Sequence, residues 1–382
     1  MAVFTNFVVK IYELCNINCT YCYMYNLEDK SYQSRPKIMS EETRDMFFEK
    51  LMKHVQNYQL GDIVIYLHGG EPLLVTKPYF VNWVEKLLTT VGSLCNVILI
   101  AQTNGILLDN EWIEIFHRFN IRLGISLDGP KAFHDTFRVT KNGAGTYDKV
   151  MLALKTLRDH PLGAHVFGSI LSVANPDIPP EQLWQTWLRT GFKRFDFNLP
   201  HCTHDNPPWF TTDQLSPWLI ELFELWWTEN DPEIDVRFFR NIVHLILGAS
   251  SSTDYIGGKQ VGIVVIETDG SIQGTDALRA CKNGLTNVNM NVFTNNIQDA
   301  MNIPLVKLSN NGASRLCQKC LVCDVKDVCG GGYVPHRYRE RNDFDNPSVY
   351  CESLYRITKH IRNKILFEAR HIFDKGIGVE TL

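Results

Sequence analysis

The chain has no run of 18 apolar residues, and its start, MAVFTNFVVKIYELC, has neither a basic n-region nor a long apolar core. The first absence excludes a membrane-spanning helix and the second a secretory signal, so a cytoplasmic location is expected. Strong charge is missing too. Lys and Arg number 38 against 42 Asp and Glu, a net charge of −4, which gives no field suited to nucleic acid or a membrane surface. Internal repeats and low-complexity tracts are absent. Even the eleven cysteines lack what a disulfide framework needs: the count is odd, there is no export signal, and nine of the eleven fall in two groups at metal-type spacing. A metal-binding reading follows. Cys95 stands apart from any spacing and reads as a buried thiol; Cys202 also stands apart.

What is present is alternation. Apolar strand patterns at Phe7–Tyr12, Ile63–His68, Val97–Thr103, Arg122–Ser126, His165–Leu171 and Arg194–Leu199 are separated by amphipathic helical patterns at Glu41–Gln56, Tyr79–Thr90, Glu111–Phe119, Tyr147–Asp159 and Glu181–Thr190. Ser40 and Asp109 stand at N-cap positions, and Ser216 with Pro217 fits the start of a later aromatic helix. This order predicts a parallel α/β fold whose site lies at the C-terminal ends of the strands. A length of 382 residues suggests two domains, expected at 1–248 and 260–382 across a linker at 249–259. Val261–Glu267 with Asp269-Gly270 reads as a strand entering a hairpin turn.

The strand ends carry the distinctive residues. The first runs into Cys15-x3-Cys19-x2-Cys22, the second ends in His68-Gly69-Gly70-Glu71-Pro72, the third in Thr103-Asn104-Gly105, and the fourth in Ser126-Leu127-Asp128-Gly129-Pro130. Three thiolates suit a four-iron cluster with one iron left open, and an open metal position is where chemistry happens.

Together these segments, with SLDGPKAFHDTFR, resemble the radical S-adenosylmethionine (SAM) enzymes, and the C-terminal cysteines resemble their auxiliary-cluster (SPASM) branch. The resemblance implies a partial (β/α)6 TIM barrel followed by an iron–sulfur domain. It implies that Cys15, Cys19 and Cys22 ligate a [4Fe–4S] cluster whose fourth iron is chelated by SAM, the source of a 5′-deoxyadenosyl radical. It further implies SAM contacts from Gly69, Gly70 and Glu71, from Asn104 and Ser126 near the ribose, from Arg138 on the carboxylate, and from Tyr23 beside the adenine. His68 and His134 read as structural.

The second cysteine group is Cys281, then Cys317-x2-Cys320-x2-Cys323-x5-Cys329, then Cys351. By the same resemblance Cys320, Cys323, Cys329 and Cys351 form one closed [4Fe–4S] cluster suited to electron transfer. Tyr333 stands where the family supplies a further cysteine. Cys281 and Cys317 are left for a second auxiliary cluster or its remnant, giving two clusters in all, or three. Structural zinc is the competing use of two CxxC pairs.

For the reaction, residues 267–278 and 330–351 resemble the maturases that form three-residue cyclophanes, joining an aromatic ring to a nearby Cβ of a ribosomal precursor peptide. Asp276 is the candidate base. The expected enzyme is thus a radical SAM oxidoreductase acting as a peptide cyclase. Its partners would be a precursor peptide with a leader and an electron donor such as flavodoxin or ferredoxin. With the cluster motif starting at residue 15, the leader is expected to dock on the body of the enzyme or on a separate protein. The alternatives are an anaerobic sulfatase-maturing, formylglycine-forming enzyme and a non-enzymatic iron–sulfur electron carrier.

Overall fold

A computed structural model describes residues 3–249, 253–258 and 260–374. Positions 250–252 and 259 of the expected linker lie outside the described residues.

Six strands appear in the expected order: β1 (Asn6–Tyr12), β2 (Asp62–Gly69), β3 (Asn96–Thr103), β4 (Arg122–Ser126), β5 (Phe167–Val173) and β6 (Arg194–Asn198). Each pairs in parallel with the next, as right-handed strand–helix–strand crossovers require. A short β7 (Asp235–Val236) extends the β6 edge. On the other edge β8 (Ile263–Ile266) pairs in parallel with β1, and β9 (Ile272–Gln273) returns antiparallel to β8. The nine-stranded order is therefore β7-β6-β5-β4-β3-β2-β1-β8-β9, an open and mostly parallel α/β sheet. The sheet crosses the expected domain boundary, because β8 lies beyond it.

The buried faces follow the strand period. Phe7, Val9 and Ile11 of β1 and Ile63, Ile65 and Leu67 of β2 are almost fully buried, packed with Phe47, Leu51 and Trp83 of the covering helices. Caps define helix starts: Ser40 Oγ accepts from Thr43 N (3.0 Å) and Asp109 Oδ1 from Trp112 N (2.9 Å).

Two boundaries differ from expectation. The fifth strand begins two residues late because Gly163–Val166 forms a helical turn that takes His165 and Val166. The aromatic helix begins at Thr212 rather than after Ser216, because Thr211 and Gln214 form a capping box; Pro217 then lies inside the helix. Ser216 instead hydrogen-bonds Ser353 (3.1 Å) on the long C-terminal helix Cys351–Asp374.

Candidate functional site

The C-terminal strand ends open into a cavity of about 410 Å³. On its wall lie Cys15, Cys19 and Cys22, together with Tyr23, Gly69, Gly70, Glu71, Asn104, Ser126, Arg138 and Asp276. All the residues expected at the first cluster and at SAM thus share one space, joined by the candidate base.

The cysteine loop is clamped from both sides. Asn18 N donates to Val139 O (2.7 Å) and Thr20 N to Phe137 O (2.9 Å), so the HDTFR segment holds it along one edge. On the other edge Gly70 N donates to Tyr12 O (2.9 Å) and Glu71 N to Leu14 O (3.0 Å). This second contact explains the glycines. A Cβ on Gly69 would strike the Tyr12 carbonyl, and one on Gly70 would strike Leu14 backbone and the Tyr25 hydroxyl. The close approach that excludes a side chain is therefore to the strand feeding Cys15.

Glu71 also turns inward. One carboxylate oxygen accepts from Leu73 N (3.0 Å) and Thr103 Oγ1 (2.7 Å), the other from Asn104 N (2.8 Å). Burial pushes its carboxyl up to about 7 despite those donors. Both oxygens are engaged by the protein, so Glu71 ties the second strand end to the third while it stays on the cavity wall. Asn104, which it positions, donates to Asn16 Oδ1 (2.7 Å) and lies 3.7 Å from Cys15 Sγ. Ser126 Oγ accepts from Gln102 (3.0 Å).

Arg138 reaches the same loop. Its Nε donates to Asp128 (2.9 Å), its Nη1 lies 3.9 Å from Cys19 Sγ, and its guanidinium sits over the Tyr21 ring at 5.6 Å. Asp128 also accepts from Tyr21 and from Val173 N (3.1 Å).

His134 braces this arrangement. Its Nδ1 accepts from Asp128 N (3.2 Å), and its Nε2 donates to Thr146 Oγ1 (3.0 Å), whose own proton goes to Arg138 O (2.7 Å). Only a neutral imidazole satisfies this pattern, and burial pushes it down to about 4. The unfolded state then binds the extra proton first as pH falls. His134 should stabilise the fold fully above pH 6.5 and lose about 3 kcal/mol as pH falls toward 4. Urea unfolding at pH 7 and pH 4.5 should show a larger acid loss in wild type than in His134→Gln; equal losses would contradict this.

Asp276 opens a short 3-10 helix, with Thr275 at the cap position. Its carboxylate accepts from Tyr23 OH (2.9 Å) and pairs with Lys10 Nζ (3.2 Å). Lys10 also meets Glu267 (3.4 Å). Behind it Arg279 meets Glu267 (2.7 Å), Asp29 (3.5 Å) and Glu13 (3.9 Å), and Arg35 meets Glu13 (3.7 Å). Burial raises the Asp276 carboxyl, but Lys10, helped by Arg279 and the Tyr23 hydroxyl, outweighs it and holds the group well below the usual carboxylate range. Sequence reasoning missed this network. Its one visible signal was a lysine in the middle of an apolar strand, FVVKIY.

The four C-terminal cysteines grouped in the sequence lie together, and the two left over lie apart from each other. Cys320, Cys323, Cys329 and Cys351 line a second cavity of about 450 Å³. Cys317, expected to partner Cys281, instead has its Sγ 3.6 Å from Cys320 Sγ. Cys281 packs with Leu278, Leu308, Val334, Tyr338 and Phe344. Tyr333 hydrogen-bonds Thr275 (2.9 Å) and faces the first cavity. Cys95 is half-buried, with its thiol 3.9 Å from Val91 O, and Cys202 is buried. Among the described residues no three His, Cys, Asp or Glu side chains converge on a single metal ion. A cube whose cysteines each hold a different iron needs no such convergence.

Residues 9–186 match the family model described as the Radical SAM superfamily, and this segment is a radical SAM domain. Across 383 aligned residues the chain is 26% identical to the cysteine-type anaerobic sulfatase-maturating enzyme of Clostridium novyi, covering 93% of this chain and 94% of that protein. Native anSMEcpe, solved with AdoMet and the Cp18Cys peptide, superposes with a TM-score of 0.79 at 21% identity, over 96% of this chain and 99% of that one. Streptococcus suis SuiB bound to its precursor peptide SuiA gives a TM-score of 0.60 at 14% identity, over 92% and 76%. These end-to-end similarities correct the expected reaction. A relative matched over 93% of this chain is a sulfatase-maturating enzyme, so the cyclophane reading drawn from residues 267–278 and 330–351 is overturned. No described helix is long and apolar enough to cross a membrane.

Radical SAM proteins bind SAM and a [4Fe–4S] cluster, and the cavity fits both. Cys15, Cys19 and Cys22 are the cysteines on its wall. Burial, with Glu71 behind it, pushes the Cys15 thiol up to about 12. Burial likewise pushes Cys19 up to about 11, against the pull of Arg138. Thiols so placed become thiolates only beside a cation such as cluster iron.

Proposed function

We propose, starting from the radical SAM domain of residues 9–186, that this chain oxidises the Cβ of a cysteine or serine in a peptide or protein substrate to an aldehyde, as a sulfatase-maturing enzyme would. The observation that carries this reading is Asp276. It is an ionised carboxylate held at 2.9 Å by Tyr23 and at 3.2 Å by Lys10, on the wall of the same cavity as the three-cysteine loop.

When bound, SAM and the iron–sulfur clusters supply a radical that takes a hydrogen atom from Cβ and a sink for one electron. The protein's part is the remaining proton. As the substrate carbon gives up its electron, the thiol or hydroxyl proton passes to Asp276, and the C–S or C–O bond becomes double. The substrate loses one hydrogen atom, one proton and one electron. Water then adds to a thioaldehyde and hydrogen sulfide leaves, giving the aldehyde. The heteroatom becomes strongly acidic once its carbon is oxidised, so a weak base is enough. Tyr23 fixes the direction of the carboxylate, and Lys10 keeps it ionised across the working pH range. Arg138, held by Asp128, presents its guanidinium beside the cysteine loop, where it suits the carboxylate of SAM. A peptide substrate accords with SuiB and anSMEcpe, whose structures hold peptides.

The test is anaerobic reconstitution with iron, sulfide, SAM and dithionite, using a sulfatase-derived peptide in cysteine and serine forms. Formation of 5′-deoxyadenosine together with a hydrazide-reactive aldehyde on either peptide supports the proposal. Release of 5′-deoxyadenosine with both peptides unchanged would count against this substrate class, and its complete absence against the radical reading.

A further inference from the structure

We infer that the C-terminal region builds one auxiliary [4Fe–4S] cluster, on Cys320, Cys323, Cys329 and Cys351, with Cys317 a spare thiol at its edge and Cys281 a ligand of none. The inference rests on the iron–sulfur reading of these cysteines, not on the identity of the substrate.

Three independent observations point to one anionic centre among the four thiols. The first is shape. All four line one cavity of about 450 Å³, closed at one side by Gly331. The second is the backbone around it. Gly330, Gly331 and Gly332 run at φ of 64°, 84° and 69°, left-handed values that side chains resist. This curl lets Gly332 N donate to Cys329 O (3.0 Å) and sets Gly331 on the cavity wall, so the backbone wraps closely around the thiols.

The third observation is Arg337. Its side chain is fully buried, and it donates to the carbonyls of Arg315 (2.9 Å) and Gly312 (2.8 Å), which carry no charge. Among the described residues no carboxylate pairs with it, and its Nε has no partner. Arg337 lies beside that cavity: a Cβ on Gly331, on the cavity wall, would come within 3.2 Å of its Nη1. A buried guanidinium without a counter-ion costs several kcal/mol. A cube held by four thiolates carries net negative charge and supplies what this cation lacks.

The same reading removes the second auxiliary cluster. Cys281 lies among Leu278, Leu308, Val334, Tyr338 and Phe344, and its thiol faces Pro335 O at 3.7 Å. Tyr333 spends its hydroxyl on Thr275. A cluster at Cys281 would have to find three ligands that are not cysteine. Cys317 has the opposite situation. It sits 3.6 Å from Cys320 Sγ but off the wall of the cavity that the other four share, and a closed cube has only four irons to ligate.

The deciding measurement is iron and acid-labile sulfide on the full chain, reconstituted anaerobically, with EPR of the reduced protein and circular dichroism to report folding. Wild type should hold about eight irons, at four per cluster. The Cys281→Ser and Cys317→Ser variants should keep all of them with unaltered EPR signals. Cys329→Ser should hold about half the wild-type iron. The triple variant Cys15→Ala, Cys19→Ala, Cys22→Ala should also hold about half, with the signal of the auxiliary cluster alone; it keeps the test open if Cys329→Ser fails to fold. About half as much iron again in wild type would overturn the inference. So would loss of iron in Cys281→Ser or Cys317→Ser, or zinc in place of the second set of irons.

Discussion

Asp276→Asn should cut aldehyde formation by about 10²–10⁴-fold, the usual worth of a positioned base, while 5′-deoxyadenosine is still released within a few-fold of the wild-type rate. The two readouts separate because the hydrogen abstraction does not need the carboxylate and the later proton loss does. Asparagine keeps the shape and still accepts from Tyr23, so folding is little disturbed. The pH profile sharpens the test. Asp276 is held well below the usual carboxylate range by Lys10. Wild-type product formation should therefore show no acid limb from this group above about pH 4. Quantifying both products from one reaction checks the claim. Aldehyde yields within threefold of wild type would remove Asp276 from the role of base.

The second large effect is on stability. Lys10→Met fills the same space but leaves Asp276 and Glu267 without the cation between them, in a region where neither side chain is well exposed. Removing one partner of a buried pair typically costs about 3–5 kcal/mol, because the remaining charge stays buried. Urea unfolding should show a loss of that size. The double variant with Glu267→Gln should lose less than the sum of the two single variants, since it removes opposite charges together. A Lys10→Met loss below about 1 kcal/mol would mean that Arg279 alone balances these acids. Through Asp276 the same substitution should also weaken aldehyde formation more than it weakens SAM cleavage.

How much of this was legible beforehand depended on what kind of signal each feature leaves. Six strands and their helices were readable because burial imposes a period, and the rim motifs because cysteine spacing and glycine runs are uncommon. The hidden features were those whose reason lies across the fold. Lys10 reads as a blemish in an apolar strand until β8 brings Glu267 beside it and the next turn brings Asp276. Glu71 and the glycines before it read as ligand contacts from their motif alone, and nothing in that motif shows their links to Asn104 and Leu14. Cys317 and Cys281 looked like a pair by elimination. Spacing along the chain says nothing of the turn at residues 334–337 that sets them in different surroundings. The choice of reaction was misread for a related reason: short stretches of likeness near the second cysteine group weighed more than the similarity of the chain as a whole.

The pairing of β8 with β1 has a further consequence. Cut at the expected boundary, residues 1–248 would present β1 as a bare edge, with a row of unmatched amides and carbonyls along the FVVKIY segment. Such an edge invites a second copy to add its own strand. It would also leave Lys10 as a buried cation with both acids gone. The carboxylate proposed as the base and the strand that shields the first sheet edge arrive on the same stretch of chain, so the protein cannot acquire a protected sheet without acquiring Asp276.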